Sequence, residues 1–518
     1  MPEQNGTYYV TSPIYYVNDR PHIGHAYTTL ACDLMARFMR LEGCEVLFLT
    51  GTDEHGQKVE QSARERGLEP RAYADQVSAQ FQRLCAAMDF SIDDFIRTTE
   101  ERHRASVQQL WRLLAERDQI YLGQYAGWYS VSDEAFYGED ELTLRDGVRY
   151  APSGRPVEWV EEPSYFFRLS AWQEPLLALY ERQPDFILPE SRRNEVMAFV
   201  RGGLKDLSIS RTTYSWGIPV PGDPAHVIYV WFDALINYIT AAGYPDTAAE
   251  TYRRFWPADL HMVGKDILRF HTVYWPAFLM AAELPTPRRV FAHGWWTNEG
   301  QKISKSLGNV IDPFALVEKY GLDQVRYFLL REVPFGQDGD FSHAAMVRRI
   351  NDDLANDLGN LAQRVLSMIA KNCEAEVPAP GPLSEADQAL LRQAEALLPG
   401  VRAEFGRQAF HRGLEAIWQL VGEANRYVDA QAPWALRKSD PDRMRTVLYL
   451  LADCLRRIGL LILPVMPTHA AALLDQLSVA AEERVFAAYD RPLEAGRPLP
   501  RPTGLFPRFQ EAEAEAAS

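Results

Sequence analysis

Residues 21–25 read PHIGH, and the fold of the chain is decided around this stretch. It follows an apolar run at Tyr8–Val10 and precedes a helix-like pattern from Ala26 to Arg40. The order predicts a strand, a loop and a helix that carries His22 and His25 on one face of its first turn. A helix start exposes main-chain N–H groups at the positive end of the helix dipole, so it attracts phosphate. Taken alone, the stretch is also compatible with two surface histidines on an ordinary helix.

A second stretch, residues 300–309, reads GQKISKSLGN and follows a strand-like run at Arg289–His293. It carries Lys302 and Lys305 three residues apart between serines and glycines. Taken alone, it is also compatible with a solvated turn. The two stretches in this order, each after a predicted parallel strand, resemble the HIGH and KMSKS elements of class I aminoacyl-tRNA synthetases. The second element reads KISKS here, which is a mild change between two apolar residues.

The resemblance implies an ATP site. When ATP activates a carboxylate, charge develops on the α-phosphate and on the departing pyrophosphate, and fixed donors and cations lower that barrier. His22 and His25 would face the α-phosphate, and Gly24 would let the adenine pack closely. Lys302 and Lys305 would close over the β- and γ-phosphates. These two histidines and two lysines are the expected catalytic residues. The expected ATP-binding residues are His22, Gly24, His25, Lys302, Ser304, Lys305 and Ser306.

The composition is that of a soluble globular protein of several domains, with 518 residues, 47% of them hydrophobic and 24% charged. We find no apolar run long enough to span a membrane and no secretory signal at the N-terminus. The five scattered cysteines favour reduced thiols and a cytoplasmic location. A net charge of −16 argues against non-specific binding of nucleic acid, but a specific RNA partner needs only a local basic surface.

The chain divides by pattern into an α/β catalytic domain, an insertion and an all-α region. The predicted fold is a Rossmann-like class I synthetase catalytic domain with an inserted connective domain, followed by a C-terminal helical anticodon-binding bundle. Helical runs are predicted at 385–398, 407–430, 440–462 and 466–476, with Ser384 as an N-cap. The predicted segments are 1–118 and 226–325 for the two catalytic halves, 119–225 for the connective domain, 326–350 for a stem-contact connector, 351–490 for the bundle and 491–518 for a tail that is either folded back or disordered.

The insertion cannot contain a Cys/His zinc knuckle. No cysteine lies between Cys85 and Cys373, and no histidine lies between His103 and His226. We therefore expect no structural zinc and no metal-binding residues in the chain. The insertion is also short for a hydrolytic editing domain.

Three further stretches resemble the methionyl-tRNA synthetase family specifically: residues 11–18 (TSPIYYVN), 229–234 (YVWFDA) and 264–271 (GKDILRFH). Helical periodicity alone would make their apolar residues ordinary core. The resemblance instead implies that they line a methionine pocket, in which aromatic rings contact the thioether. Asp53, at the end of the second strand, would hold the substrate ammonium group. The expected methionine-binding residues are Ile14, Tyr16, Asp53, Trp231, Leu235, Tyr238, Ile267 and His271.

Two stretches of the helical region match the family's anticodon-reading surface. Residues 360–364 (NLAQR) place an amide and a guanidinium four residues apart, and residues 424–434 set an aromatic at a helix end. Anticodon bases stack on aromatic rings and pair with amide and guanidinium groups. By themselves these residues are also compatible with a helix polar face and a core tryptophan. With the catalytic match, Asn360, Arg364 and Trp434 are the expected readers of a CAU anticodon.

The resemblance therefore implies a zinc-free, bacterial-type member of the family. It would use ATP with Mg²⁺ to form methionyl-adenylate and pyrophosphate, and then transfer methionine to initiator and elongator tRNA(Met), releasing AMP. No C-terminal domain follows the bundle, so a monomer without membrane association is expected. Three alternatives stay open: another class I synthetase for an apolar amino acid, which would need a larger editing insertion; a cysteinyl enzyme, which would need a zinc–thiolate site; and a non-catalytic tRNA-binding relative.

Overall fold

The computed structural model of the chain describes residues 6–18, 20–303 and 309–511, without the side chain of Lys302. The chain forms two compact units. Of the described residues, the sheet unit comprises those within 7–32 and 46–293, and the helical unit comprises Gly6, 33–45 and those within 294–511. Within the described residues, no helix has both the length and the apolar character needed to cross a bilayer.

The strands of the sheet unit are mostly short pieces around one central sheet. They are β1 Thr7–Tyr16, β2 Glu45–Asp53, β3 Asp94–Arg97, β4 Ile120–Ser130, β5 Ala135–Tyr137, β6 Thr143–Arg145, β7 Val148–Tyr150, β8 Glu158–Phe167, β9 Ile187–Leu188, β10 Leu207–Ser208, β11 Ser210–Arg211, β12 Pro219–Val220, β13 Asp223–Ile228, β14 Leu260–Gly264 and β15 Val290–His293.

The helices that accompany these strands begin with α1, which runs into the helical unit at Asp33. They are α1 Ile23–Leu41, α2 Gln57–Glu65, α3 Pro70–Ala87, α4 Glu101–Glu116, α5 Gln173–Arg182, α6 Glu190–Arg201, α7 Val230–Leu235, α8 Asn237–Ala242, α9 Glu250–Phe255 and α10 Trp275–Ala281. A π-helical turn at Phe270–Tyr274 leads into α10.

The central sheet has six strands in the order β3-β2-β1-β14-β15-β9. Its β2–β3, β1–β14, β14–β15 and β15–β9 pairs are parallel. The chain builds outward from β1 through β2 and β3, and later returns to the other side of β1 with β14. Ligands bind in open α/β sheets at the carboxyl ends of the strands where the order reverses. The fold therefore directs a ligand to the carboxyl ends of β1 and β14, with β2 next to β1, and the Rossmann-like prediction is confirmed.

The segment after α4 forms a second, antiparallel sheet in the order β10-β8-β4-β5. The sequence pattern predicts two separate pieces at 120–122 and 127–131, but β4 is one strand from Ile120 to Ser130. Gly123 and Gly127 weaken the local strand signal. Pairing with β8 along the whole strand, from Ile120↔Phe167 to Tyr129↔Glu158, outweighs that weakness. Farther along the same segment, β9 leaves this sheet and joins the central one.

The helical unit contains a small sheet, β17-β16-β18, and the C-terminal helices. Its strands are β16 Trp296–Asn298, β17 Gln301–Lys302 and β18 Gly339–Phe341, and its helices are α11 Pro313–Tyr320, α12 Leu322–Arg331, α13 His343–Arg348, α14 Asn360–Asn372, α15 Glu385–Gly406, α16 Phe410–Gln431, α17 Pro433–Ser439, α18 Pro441–Ile462 and α19 Pro467–Gln476. A π-helical segment, Arg349–Gly359, joins α13 to α14.

Helix α15 begins where its cap predicts and ends later than its sequence predicts. Ser384 accepts a hydrogen bond from the Asp387 N–H, and the Asp387 carboxylate accepts one from the Ser384 N–H. The prediction that the helix ends at 398, before Pro399, is wrong. A proline inside a helix costs about 3 kcal/mol. The helix nevertheless continues to Gly406, because the next two turns bury Val401 and Phe405 in the core.

The C-terminal segment folds back on the helices as far as Glu511. Val377 donates to the Arg497 carbonyl, and the Gly496 N–H donates to the Val377 carbonyl. Phe506 is buried and stacks on the His469 ring with centroids 4.4 Å apart. Of the two alternatives left open by the sequence, residues 491–511 therefore take the folded one.

Candidate active site

The site lies at the carboxyl ends of β1 and β2 in the sheet unit. Tyr16 is the last residue of β1 and Asp53 the last residue of β2. The Val17 N–H donates to the Asp53 carbonyl at 3.0 Å, which holds the two strand ends side by side. Tyr16 and Asp53, which are 37 residues apart in the sequence, thus lie at neighbouring strand ends, at the edge of the sheet where ligands bind in such folds.

The PHIGH stretch forms the start of α1, with His22 one residue before the first helical position. The His25 N–H donates to the His22 carbonyl at 3.0 Å. Each imidazole accepts a main-chain hydrogen bond at Nδ1: His25 from the His22 N–H and His22 from the Gly24 N–H, both at 3.1 Å. A neutral ring that accepts at Nδ1 carries its proton on Nε2. Each ring therefore offers an N–H donor on the edge away from its own backbone.

The two rings are packed together, with centroids 3.9 Å apart. The His25 ring also contacts the edges or faces of Tyr15 and Phe81, at centroid distances of 4.7 and 5.1 Å. Loss of solvent around His25, and the neighbouring His22, hold its pKa well below the usual value for histidine. His25 is therefore a neutral donor at pH 7. A Cβ at Gly24 would lie 2.9 Å from His22 Cε1, so a larger residue at position 24 would displace the His22 ring.

Three of the predicted pocket residues, Trp231, Tyr238 and His271, are linked by ring contacts into an aromatic cluster. The Trp231 ring stacks on Phe270 with centroids 3.7 Å apart and planes 4° apart. His271 meets Trp231 at 6.2 Å and Tyr238 at 5.7 Å. Four other predicted pocket residues lie in or against the large hydrophobic core of the sheet unit: Leu235 is a buried member of it, and Ile14, Tyr16 and Ile267 are partly buried side chains packed against it. The ring contacts thus join three of the seven apolar or aromatic candidates directly, and Phe270, which stacks on Trp231, was not among the predicted residues.

His271 has both ring nitrogens satisfied inside this cluster. Nδ1 donates to the Ile267 carbonyl at 2.9 Å, because a carbonyl can only accept. Nε2 must then accept from the Tyr238 hydroxyl, at 2.7 Å. Burial lowers the pKa of His271 to about 4, so the ring is neutral near pH 7. A neutral, fully bonded histidine suits a pocket for an uncharged side chain.

Asp53 carries a carboxylate oxygen with no partner. Its side chain is only 8% exposed, and Oδ1 is buried without a hydrogen bond among the described residues. Burial raises the pKa of Asp53 well above the usual value, and the charges of Asp233, Glu134 and Glu54 raise it further. Its charge also reaches the phenols of Tyr16 and Tyr238. A cationic group placed here would pair with the carboxylate and relieve this cost.

Family models and relatives match nearly the whole chain. Residues 8–366 match the model described as tRNA synthetases class I (M), and residues 377–518 match the anticodon binding domain of methionyl tRNA ligase. The chain is 61% identical over 510 residues to the methionine--tRNA ligase of Brucella suis biovar 1 (strain 1330), covering 98% of this chain and 99% of that protein. This chain belongs to the methionyl-tRNA synthetase family.

Solved structures of the family share its architecture. Mycobacterium tuberculosis methionyl-tRNA synthetase in complex with methionyl-adenylate superposes with a TM-score of 0.96 at 56% identity, covering 97% of this chain and 100% of that one. The apo form of the M. tuberculosis protein gives 0.90 at 53% identity, covering 98% and 99%. The chain also shares 56% identity over 511 residues with the methionine--tRNA ligase of Rickettsia conorii (strain ATCC VR-613 / Malish 7), covering 98% and 100%.

The second signature, KISKS, falls largely outside the described residues. Ser304, Lys305 and Ser306 are not among them, nor is the side chain of Lys302. Their assignment to ATP therefore stays a prediction. Within the described ranges, no group of three or more His, Cys, Asp or Glu side chains is placed to hold a metal ion.

The predicted anticodon residues of the synthetase lie close together in the helical unit. Asn360 is exposed at the start of α14, and Arg364 follows one turn later. The Arg364 guanidinium lies 5.5 Å from the centre of the Trp434 ring and pairs with Asp429 at 2.7 Å. Trp434 is 48% exposed, which excludes the alternative of a core tryptophan. An exposed ring beside a guanidinium is a suitable platform for stacking a base.

A buried His–Asp–His group behind Asp53 was missed by the sequence analysis. Asp233 accepts from His55 Nδ1 and from His103 Nε2, both at 2.6 Å. Burial alone would raise the pKa of Asp233, but the two histidines outweigh it and hold the pKa below its usual range. The charge of Asp233 in turn raises the pKa of Asp53, which lies two residues before His55. The stretch TDEHG at 52–56 was the available signal, since His55 directly follows Asp53 and Glu54.

Proposed function

We propose how the residues described above activate methionine. The enzyme condenses methionine with ATP to methionyl-adenylate and passes the methionyl group to tRNA, the reaction for which relatives sharing 61% identity are named. A related structure holds methionyl-adenylate. The observation that carries the residue assignment is the unpartnered, buried carboxylate of Asp53 beside the aromatic cluster.

Asp53 would bind the ammonium group of methionine. An approaching cation favours the ionised carboxylate, so binding would lower the raised pKa of Asp53 and keep the group charged. The thioether would lie against the rings of Trp231, Tyr238 and His271, because sulfur makes favourable contacts with aromatic rings. Ile14, Tyr16, Leu235 and Ile267 would complete the wall. Homocysteine, which lacks only the methyl group, would be excluded weakly by such a pocket.

His22 and His25 would bind the α-phosphate through their Nε2–H groups, with Gly24 close to the adenine. In the first step a carboxylate oxygen of methionine attacks the α-phosphorus, and the bond to pyrophosphate breaks. The negative charge that develops on the α-phosphate oxygens would be stabilised by the Nε2–H donors of the two histidines, which are already oriented before the reaction. Lys302 and Lys305 would close over the β- and γ-phosphates, and Ser304 and Ser306 would also bind ATP, as predicted from the sequence. No protein side chain needs to become acylated, so catalysis rests on positioning and charge stabilisation.

In the second step a hydroxyl of the terminal tRNA ribose attacks the methionyl carbonyl, and AMP leaves. By analogy with class I enzymes this is the 2′-hydroxyl. Asn360, Arg364 and Trp434 would read the CAU anticodon of initiator and elongator tRNA(Met), by stacking on Trp434 and by hydrogen bonds from the other two. The exposed ring and its neighbouring guanidinium support this assignment.

Mg²⁺ would bind mainly through the phosphates of ATP, where it neutralises charge on the departing pyrophosphate. That mode fits the chain, because Mg²⁺ at nucleotide sites needs only one or two protein carboxylates and the described residues form no dedicated metal cluster. A monomeric state and a cytoplasmic location remain predictions from the sequence.

Pyrophosphate exchange into ATP, measured with each of the twenty amino acids and without tRNA, tests the proposal. We expect exchange with methionine alone. Exchange with isoleucine, valine or leucine instead would overturn the pocket assignment. An absence of exchange with every amino acid, with and without tRNA, would overturn the activation chemistry and leave a binding protein.

A further inference from the structure

Glu134, in the turn after β4, is a buried carboxylate that the activation scheme does not use. Its side chain is 3% exposed. Oε1 accepts hydrogen bonds from the Tyr16 hydroxyl at 3.0 Å and from the Lys58 N–H at 3.1 Å. Oε2 accepts a short hydrogen bond from the Tyr129 hydroxyl. The main-chain carbonyl of Glu134 accepts from the Tyr229 hydroxyl at 2.7 Å. The residue is therefore fixed at both its side chain and its backbone.

These bonds join the predicted connective domain to two parts of the amino-acid site. Tyr16 ends β1, and Lys58 lies in the first turn of α2, the helix that directly follows the Asp53 loop. Helix α2 has no side-chain cap of its own, since Gly56 stands at its N-cap. The carboxylate of Glu134, from a distant segment, caps the helix by accepting the Lys58 N–H. The helix dipole also favours a negative charge at this N-terminus. It thus restrains Tyr16 directly and the Asp53 loop through α2.

The junction between these groups is closely fitted around Gly56. This residue has a φ of 111°, a conformation that favours glycine. A Cβ at this position would lie 2.6 Å from the Tyr16 hydroxyl oxygen and 3.0 Å from Glu134 Oε1. Glycine at position 56 therefore leaves the space that the Tyr16 hydroxyl and the Glu134 carboxylate occupy.

The negative charge of Glu134 affects the protonation of Asp53. Burial raises its pKa, while hydrogen bonds from Tyr129, Lys58 and Tyr16, and the nearby Arg211 guanidinium, act in the opposite direction. The negative charge in turn raises the pKa of Asp53. A substrate ammonium group bound at Asp53 would lie in the field of both carboxylates.

From these contacts we propose that Glu134 is a positioning residue for the methionine site: it holds the Tyr16 phenol and the first turn of α2 in the geometry that binds the amino acid. This inference rests on the proposed function, because it assumes that methionine binds at Tyr16 and Asp53. It assigns to the connective segment a part in recognising the amino acid.

Glu134→Gln tests the inference in pyrophosphate exchange without tRNA. We expect the KM for methionine to rise about tenfold, the value of one hydrogen bond to a charged group, while the KM for ATP stays within about twofold. Glu162→Gln is the matched control, because Glu162 is a buried carboxylate of the same segment that accepts from the N–H and hydroxyl of Thr212 and lies 3.9 Å from the Arg211 guanidinium. It should change the melting temperature and leave the KM for methionine unaltered.

A double-mutant cycle with Tyr16→Phe separates positioning from general stability. Because Glu134 also bonds to the first turn of α2, the double variant Tyr16→Phe/Glu134→Gln should raise the methionine KM by less than the product of the two single effects. Multiplied effects, or equal increases in the KM for methionine and for ATP, would overturn the inference.

Glu134→Asp carries the test if Glu134→Gln does not fold, because it keeps the charge and shortens the side chain. A selective rise in the methionine KM would support the inference, and an unchanged value would overturn it. The unmodified enzyme is assayed in parallel. If it shows no methionine-dependent exchange, the proposed function itself fails, whereas normal exchange with unaltered variants refutes only the role of Glu134.

Discussion

The Tyr238 hydroxyl donates a hydrogen bond to Nε2 of His271 at 2.7 Å, across 33 residues of sequence. The opposite nitrogen of the same ring donates to the Ile267 carbonyl, so the imidazole is fixed in one tautomer and one orientation. Both side chains are almost fully buried. The proposed methionine pocket therefore has a polar wall whose groups are satisfied before any substrate arrives.

Tyr238→Phe should lower the free energy of unfolding by about 1–3 kcal/mol, because it leaves Nε2 of His271 buried without a partner. Tyr252→Phe is the control. Tyr252 is also buried, but its hydroxyl has no hydrogen-bond partner among the described residues, so its removal should cost little. Urea denaturation of both variants measures the difference, and equal losses would show that the Tyr238–His271 bond contributes nothing specific.

Acid should destabilise the enzyme through His271. Its pKa is lowered from 6.5 to about 4 in the folded chain. Between these two pH values His271 is therefore mostly protonated in the unfolded chain and mostly neutral in the folded chain. The stability that the neutral ring contributes is complete above pH 6.5 and falls as the pH drops toward 4, by at most about 3 kcal/mol. His271→Gln should therefore lose less stability than the unmodified enzyme between pH 7 and pH 4. Denaturation curves that shift in parallel for the two proteins would contradict this.

Asp53→Asn should raise the KM for methionine about 10- to 150-fold, because it removes the charge that pairs with the ammonium group. The KM for ATP should change little. Asp259→Asn provides the comparison, since Asp259 is a partly buried carboxylate just before the amino end of β14 and bonds to the Tyr9 N–H and to Arg288. A similar rise in both variants, measured by pyrophosphate exchange, would argue against a direct role for Asp53.

His25→Ala and Lys305→Ala should each lower the rate of activation about 10²- to 10³-fold, as the loss of one donor to a developing charge does in other enzymes. Methionine binding, measured by equilibrium dialysis, should be preserved in both. Lys371→Ala, which removes an exposed lysine from α14, serves as the reference. An unchanged exchange rate in either variant would mean that its assignment to the phosphates is wrong.

Trp434→Ala should raise the KM for tRNA about 5- to 150-fold, the range for loss of one stacked base, and leave tRNA-free activation near normal. Arg364→Ala should act in the same direction. Arg392→Ala removes another partly exposed arginine of the helical unit, which pairs with Glu385, and should leave both assays unaffected. Equal damage to aminoacylation and to tRNA-free exchange would show that Trp434 serves the fold instead.

Local signals predicted much of the secondary structure. Helix α18, predicted at 440–462, runs from Pro441 to Ile462 because Asp440 caps its first turn and its apolar positions recur at helical spacing. The β1–α1 connection around PHIGH was predicted for the same kind of reason. The continuous strand β4 and the extension of α15 past Pro399 could not be predicted, because pairing partners and buried contacts outweighed what glycine and proline indicate locally.

The sequence by itself determined the family, the strand–loop–helix around residues 21–25, and which side chains are candidates for methionine and ATP. These follow from short motifs, in which residues that are close in sequence carry the chemistry. Only the tertiary structure decided that Oδ1 of Asp53 is unpartnered, that His55 and His103 share Asp233, and that Glu134 meets Tyr16 across 118 positions. Hydrogen bonds and burial join groups by distance in space, and no spacing along the chain encodes which distant donor will reach which carboxylate.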